Sequence, residues 1–245
     1  CWAERRAEYL HCYHAGSTVG SIFHPEGETL YFGVELETDN YDYRDQAAKA
    51  LYTLSDEELL FWQEEDCSLH NGIEIITQPC TLDYHRQHFP WLKIREIVRQ
   101  FGGRGEGTDH AALHIHFSKS FYKGIHSELY QLRLIYIFER FWEELTKAAR
   151  SSEYLLNRSA QKYSCPSYFF HGRSKPTIAR LKHNYHRYQG VNLNSSQSQT
   201  IEIRIFRSTL SVSTILASIE LVDFLVRVAK KTSTHRLQAM TWAGL

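Results

Sequence analysis

Four short stretches of this chain alternate apolar residues with ionisable ones, and that alternation restricts the fold more than any other feature. Successive side chains on a strand point to opposite faces. Phe32-Gly33-Val34-Glu35-Leu36-Glu37 therefore buries Phe32, Val34 and Leu36 on one side and sends Glu35 and Glu37 together to the other. Leu113-His114-Ile115-His116 does the same with two imidazoles, Thr200-Ile201-Glu202-Ile203-Arg204 with an acid and a guanidinium, and Ile73-Glu74-Ile75 with one acid. Taken singly, each could be the solvated face of an ordinary amphipathic strand. Solvated strand faces, however, favour Thr, Lys or Tyr and disfavour Glu, whereas these positions hold Glu, His and Arg and no Lys. Two carboxylates at i and i+2 also raise each other's pKa unless a cation lies between them. A divalent cation is the expected occupant of this face.

The remaining pattern supplies what covers the apolar side. Residues 29–37, 60–64, 72–78, 113–118, 187–193 and 200–206 read as extended. Residues 44–54 and 84–101 read as helical, with Pro90 expected to kink or restart the second. Residues 127–150 and 212–231 carry apolar stripes at helical spacing. Strands and helices mix without a βαβ rhythm, so the expected fold class is α+β, with a mostly antiparallel sheet covered by helices on one face. No repeat or linker divides the chain. The expected organisation is an irregular N-terminal segment over 1–28, a remnant of an upstream module in this reading, followed by one catalytic domain over 29–245.

Ligand type narrows the cation. Several carboxylates with an imidazole, and no nearby Cys pair, suit magnesium or manganese better than zinc. His11/His14 and His183/His186, with Cys1 and Cys12, lack the paired spacing of a zinc site. Magnesium held in this way usually carries phosphate, yet the chain has neither a P-loop nor a strand-linked dinucleotide fingerprint. The run Gly102-Gly103-Arg104-Gly105-Glu106-Gly107 is a weak phosphate-loop signal. Lys+Arg and Asp+Glu both number 28, so the net charge offers no general attraction for nucleic acid or an anionic membrane, and neither partner is expected. The most apolar stretch, 215–228, is interrupted by Ser218, Glu220, Asp223 and Arg227 and is too short and polar to span a bilayer. Five Cys at irregular spacing, without a signal peptide, suit a reducing compartment. The expected location is the cytoplasm.

The ordered motifs also carry a resemblance. Phe32-Gly33-Val34-Glu35-Leu36-Glu37, then Glu65-Asp66-Cys67-Ser68-Leu69 with Gly72-Ile73-Glu74-Ile75-Ile76, then Leu113-His114-Ile115-His116, then Tyr188-Gln189-Gly190-Val191-Asn192-Leu193 leading to Thr200-Ile201-Glu202-Ile203-Arg204, resemble in order the motifs of the amidoligase family. That family is similar to glutamine synthetases and glutamate-cysteine ligases. The likeness covers about residues 30 to 210. Two positions depart from it: Cys67 and Ala112 stand where Gly is common, and both bear on loop geometry near the site.

The resemblance implies a glutamine-synthetase-like fold, a curved sheet with the active site on its open face. It implies an ATP- and magnesium-dependent carboxylate-amine ligase working through an acyl phosphate, with manganese as the alternative ion. Glu37 and Glu74 would bind one metal; Glu35, His114 and Glu202 would bind a second, bridging the nucleotide's terminal phosphates. His116 and His114 would sit near the nucleotide, and Arg204 would stabilise the transferred phosphoryl group. Arg187 would be a second phosphate or carboxylate contact. The motifs do not identify the base for the amine; Glu65 and Asp66 are candidates, although acids in a turn are more often solvated or capping. The partners would be a carboxylate and an amine, a peptide or cell-wall component among the candidates, in an assembly of unspecified size. The alternatives are another metal-dependent phosphoryl-transfer enzyme on the same site and a degenerate nucleotide-binding scaffold.

Overall fold

A computed structural model describes residues 9–13, 15–17, 29–108, 110–151, 189–193 and 199–245. The alternating stretches pair with one another: β1 (Phe32–Thr38), β2 (Phe61–Glu64), β3 (Ile73–Thr77), β4 (Ala112–Ser118), β5 (Val191–Asn192) and β6 (Thr200–Arg207) form one sheet in the order β2-β3-β1-β4-β6-β5. Every pairing is antiparallel, as expected where apolar and charged faces alternate. The sheet is open, with β2 and β5 at its ends.

Its apolar face merges with the helices into one core. Phe32, Val34 and Leu36 of β1, Ile73 and Ile75 of β3, Leu113, Ile115 and Phe117 of β4, and Ile201, Ile203 and Ile205 of β6 are all buried. They belong to one cluster with residues from α1 (Arg44–Leu54), α3 (Trp91–Gln100), α4 (Ser127–Arg140) and α6 (Val212–Lys231). The longest helix, α6, contributes Ile215, Ile219, Val222, Leu225, Val226 and Ala229 at helical spacing. The Tyr122 hydroxyl ties it to the sheet side by donating to the Val226 carbonyl at 2.9 Å. α7 (Thr234–Ala239) follows, capped by the Ser233 hydroxyl.

Two helical expectations change in detail. Residues 84–101 form two helices: α2 (Leu82–Gln87), whose first turn is capped by Thr81, and α3, which restarts with Pro90 as its N-cap. Proline cannot supply the N–H that would continue the ladder. Residues 127–150 also divide, into α4 and α5 (Trp142–Ala148), at Phe141, although no Pro or Gly lies there. The Phe141 backbone leaves helical dihedrals while its ring packs 5.8 Å from that of Trp242. At the other end of the chain, residues 9–13 run beside β2: His11 forms a parallel bridge to Glu64, and Leu10 joins the core. Among the described residues, no helix is long and apolar enough to cross a membrane.

Candidate active site

The strand registers align the ionisable residues in rows across the face opposite the core. Glu64 of β2 lies opposite Glu74 of β3, which lies opposite Glu37 of β1. Glu35 pairs with His114. Gly33 pairs with His116, His116 with Glu202, and Glu202 with Asn192 of β5. Leu113 and Ile115 flank an irregularity in the β4–β6 register, so His114 has no direct partner on β6. The expectation that Glu35, Glu37, Glu74, His114, His116 and Glu202 share one face agrees with this register, and Arg204 joins them two residues beyond Glu202 on β6.

The side chains converge. His114 donates from Nδ1 to Glu35 Oε2 at 3.1 Å, and the same nitrogen lies 3.6 Å from Glu202 Oε1. Its Nε2 lies 3.8 Å from Glu37 Oε1. His116 Nε2 approaches Glu35 Oε1 to 2.9 Å and Glu202 Oε1 to 3.9 Å. Arg204 ion-pairs with Glu202, whose other oxygen accepts from Asn192 Nδ2 at 2.8 Å. The Ala112 backbone N–H donates to Glu37 Oε2 at 2.6 Å. Glu37, Glu74, His114 and Glu202 are all at most 5% exposed, so this is no solvated strand face.

Burying so many acids together is costly unless their charge is offset. Burial raises the Glu74 pKa well above the ordinary carboxylate range, and the nearby charges of Glu35, Glu37, Asp66 and Glu64 push it the same way. Burial likewise raises Glu37, opposed by His114 and the Ala112 N–H. Burial would also raise Glu35, but the adjacent His116 and His114 hold it well below the usual range. His116 is shifted upward: burial disfavours its charged form, but Glu35 and Glu202 together outweigh that.

Three groups place one potential ligand atom from each member within 4.8 Å of the others: Glu35 with His116 and Glu202, Glu35 with Glu74 and His114, and Glu37 with Asp66 and Glu74. The expected second set joins His114 with Glu35 and Glu202, to which its Nδ1 comes within 3.1 and 3.6 Å; the groups above join His116 with those two acids and His114 with Glu35 and Glu74. A divalent cation fits the chemistry. His116 Nε2 is buried without a hydrogen bond, although Glu35 Oε1 lies 2.9 Å away. Its Nδ1 is engaged by the Thr200 hydroxyl at 3.2 Å. An imidazole nitrogen facing carboxylates without a hydrogen bond is the arrangement a shared cation satisfies. The oxygen-rich remainder favours a hard ion.

Asp66 reaches this cluster from the loop between β2 and β3. Gly72 closes that loop: a Cβ there would lie 2.5 Å from the Leu69 side chain and 2.6 Å from the Thr38 carbonyl. Only glycine permits so close an approach to the end of β1. Glu65, the other candidate base, instead faces Arg44 at 3.3 Å on the surface. Glu64, Asn192 and Thr200 were not singled out from sequence. The run Phe61-Trp62-Gln63-Glu64 does not alternate apolar with polar, so the place of Glu64 opposite Glu74 comes from the pairing of β2 with β3. Neither Cys67 nor Ala112 has a positive φ, so the residues replacing Gly there are unstrained. Cys67 is exposed, and Ala112 serves the site through its backbone. Arg187, Tyr188, Cys165, and the histidines at 14, 183 and 186 lie outside the described residues.

Comparison with known proteins adds one result. A family model described as "putative amidoligase enzyme" matches residues 31–226, more than half of the chain. No curated protein matches it.

Proposed function

Because the chain belongs to the amidoligase family, we propose that it is an ATP- and magnesium-dependent ligase joining a carboxylate to an amine, on a glutamine-synthetase-like fold. The observation that carries this reading is the sheet face on which Glu35, Glu37, Glu74, His114, His116, Glu202 and Asp66 form three overlapping groups within metal-ligand reach, with Glu37, Glu74, His114 and Glu202 buried. Glu37, Asp66 and Glu74 would hold one magnesium, and Glu35, His116 and Glu202 a second, with His114 between the two sets. Bound there, the ions would offset the negative charge of the acids and of the nucleotide's phosphates.

The reaction needs activation because a carboxylate is a poor acyl electrophile. A carboxylate oxygen attacks the γ-phosphorus of ATP, the bond to ADP breaks, and an acyl phosphate forms. The amine nitrogen then attacks the acyl carbon, loses a proton, and inorganic phosphate leaves with the original carboxylate oxygen. Arg204 serves the first step. Glu202 fixes its guanidinium at the edge of the cluster, and the N–H groups not used in that pair are available to equatorial phosphoryl oxygens. Glu202 is in turn held by Asn192, which orients both. The Ala112 N–H and His114 keep Glu37 in place.

The test is isotopic. Carboxylates labelled with 18O are incubated with ATP, magnesium and a panel of amines, and product phosphate and amide are read by mass spectrometry. Transfer of one 18O into phosphate alongside a new amide supports the reading. Amide without label in phosphate excludes the acyl-phosphate route, and phosphate release from ATP without any amide would favour a different phosphoryl-transfer enzyme.

A further inference from the structure

Beside the acidic cluster lies a cavity of about 350 Å³ lined by Arg99, Gly102, Gly103, Arg104, Gly105, Glu106 and Leu210. The glycine run that builds it is held to the sheet. Asp39 N–H donates to the Arg104 carbonyl and Arg104 N–H to the Asp39 carbonyl, both at 2.8 Å, extending β1 past its last residue. Asp39 follows Glu37 by two residues, about 7 Å along the strand. On the far side, Ser208 and Thr209 press against Gly105, and the Ser208 hydroxyl donates to the Glu37 carbonyl. Gly102, at φ +83°, turns the chain out of α3 with Asp42 packed against it, where a Cβ would collide. The cavity is therefore a fixed neighbour of the Glu37 end of the site.

Its charge is the second observation. Arg99 and Arg104 are both exposed, and among the described residues neither guanidinium has an ion-pair or hydrogen-bond partner. The one acid in the lining, Glu106, is engaged by the Thr209 hydroxyl. Two such arginines lining a cavity built on a glycine-rich loop suit a planar or tetrahedral oxyanion, which arginine binds through paired N–H groups. We propose that this cavity is an oxyanion subsite, taking a carboxylate or phosphate group of a ligand that extends to the acidic cluster. In assigning that group to a substrate, the inference rests on the ligase reading. It then makes the substrate a molecule with an anionic group besides the reacting carboxylate, or places a nucleotide phosphate there.

Calorimetric titration of metal-free protein, stripped with a chelator and then exchanged into chelator-free buffer, without nucleotide or metal, tests it with two probes, citrate for the carboxylate source and pyrophosphate for the phosphate source. The wild-type chain is expected to bind one of them saturably, and Arg99→Gln/Arg104→Gln to bind it at least tenfold more weakly with unchanged melting temperature. Arg104→Glu provides a second variant, and Lys123→Gln/Lys231→Gln, which removes two exposed charges elsewhere, should bind as wild type. The tighter probe identifies the source. Binding of neither probe, or equal binding by wild type and the arginine variants, overturns the subsite. Because no turnover is read, a failure of the ligase assay leaves this result untouched, and the reverse holds too.

Discussion

Glu74 is the residue at which the account is most exposed. It is buried between Glu64 and Glu37 in the register, and both burial and four acidic neighbours disfavour its charge. Without metal, removing that charge relieves repulsion; with metal, it removes a ligand. Glu74→Gln is therefore expected to melt higher than wild type in EDTA, yet to gain much less on adding magnesium. At a hundred times its Kd, magnesium should stabilise the wild type by about 2.7 kcal/mol. Differential scanning fluorimetry with and without magnesium reads both, and a variant that melts lower in EDTA but responds fully to magnesium would contradict the assignment. Arg204 makes a different prediction. Its guanidinium is placed for charge that develops on the moving phosphoryl group, so Arg204→Gln should lower kcat by about 10²- to 10³-fold, the typical loss of one such donor. ATP binding, measured by titration, should change far less; a loss confined to binding would reassign the residue.

At the scale of elements, the loop between β2 and β3 and the helix α2 are the parts that position the face. Gly72→Ala forces a Cβ against the Thr38 carbonyl, a backbone atom that cannot swing aside. A cost of about 1–3 kcal/mol is expected in urea unfolding, with a weaker magnesium response because the same loop carries Asp66. Unchanged metal response would detach the loop from the site. His85 on α2 donates from Nε2 to the Phe32 carbonyl at 3.1 Å, beneath the start of β1. Burial pushes its pKa down to about 4, and the bond to Phe32 opposes this. The unfolded chain therefore takes up a proton between pH 6.5 and 4 that the folded chain refuses. Its contribution is fully present above pH 6.5 and is lost as pH falls toward 4, by about 3 kcal/mol. The pH slope of unfolding free energy in that window should be shallower for His85→Gln than for wild type; parallel slopes would refute the claim.

For the whole molecule, the alternation of Glu35/Glu37, His114/His116 and Glu202/Arg204 was legible because period two is a local property of a strand. The same is true of the core faces of β1, β3, β4 and β6. Which strand lies beside which is not local. The central place of β1 between β3 and β4, which sets Glu37 against Glu74 and Glu35 against His114, follows from long-range pairing that no window of sequence contains. Asp66 shows the same limit: an acid in a turn reads as solvated until the closure at Gly72 brings it to Glu37. The break at Phe141 was hidden for another reason, since its neighbours continue the helical stripe and the departure accompanies a ring contact with Trp242, about a hundred residues away. Arg187 lies outside the described residues, so its expected contact is carried by the resemblance alone.

The central claim is that this acidic, imidazole-bearing face couples ATP to amide formation. It is tested most directly by ADP release from magnesium-ATP on purified protein, across pairs of carboxylates and amines, with Glu37→Ala and Glu202→Ala in parallel. The account predicts release that requires magnesium and both members of a pair together and that falls to background in both variants. ADP release that proceeds without a carboxylate, or that persists in both variants, would contradict it.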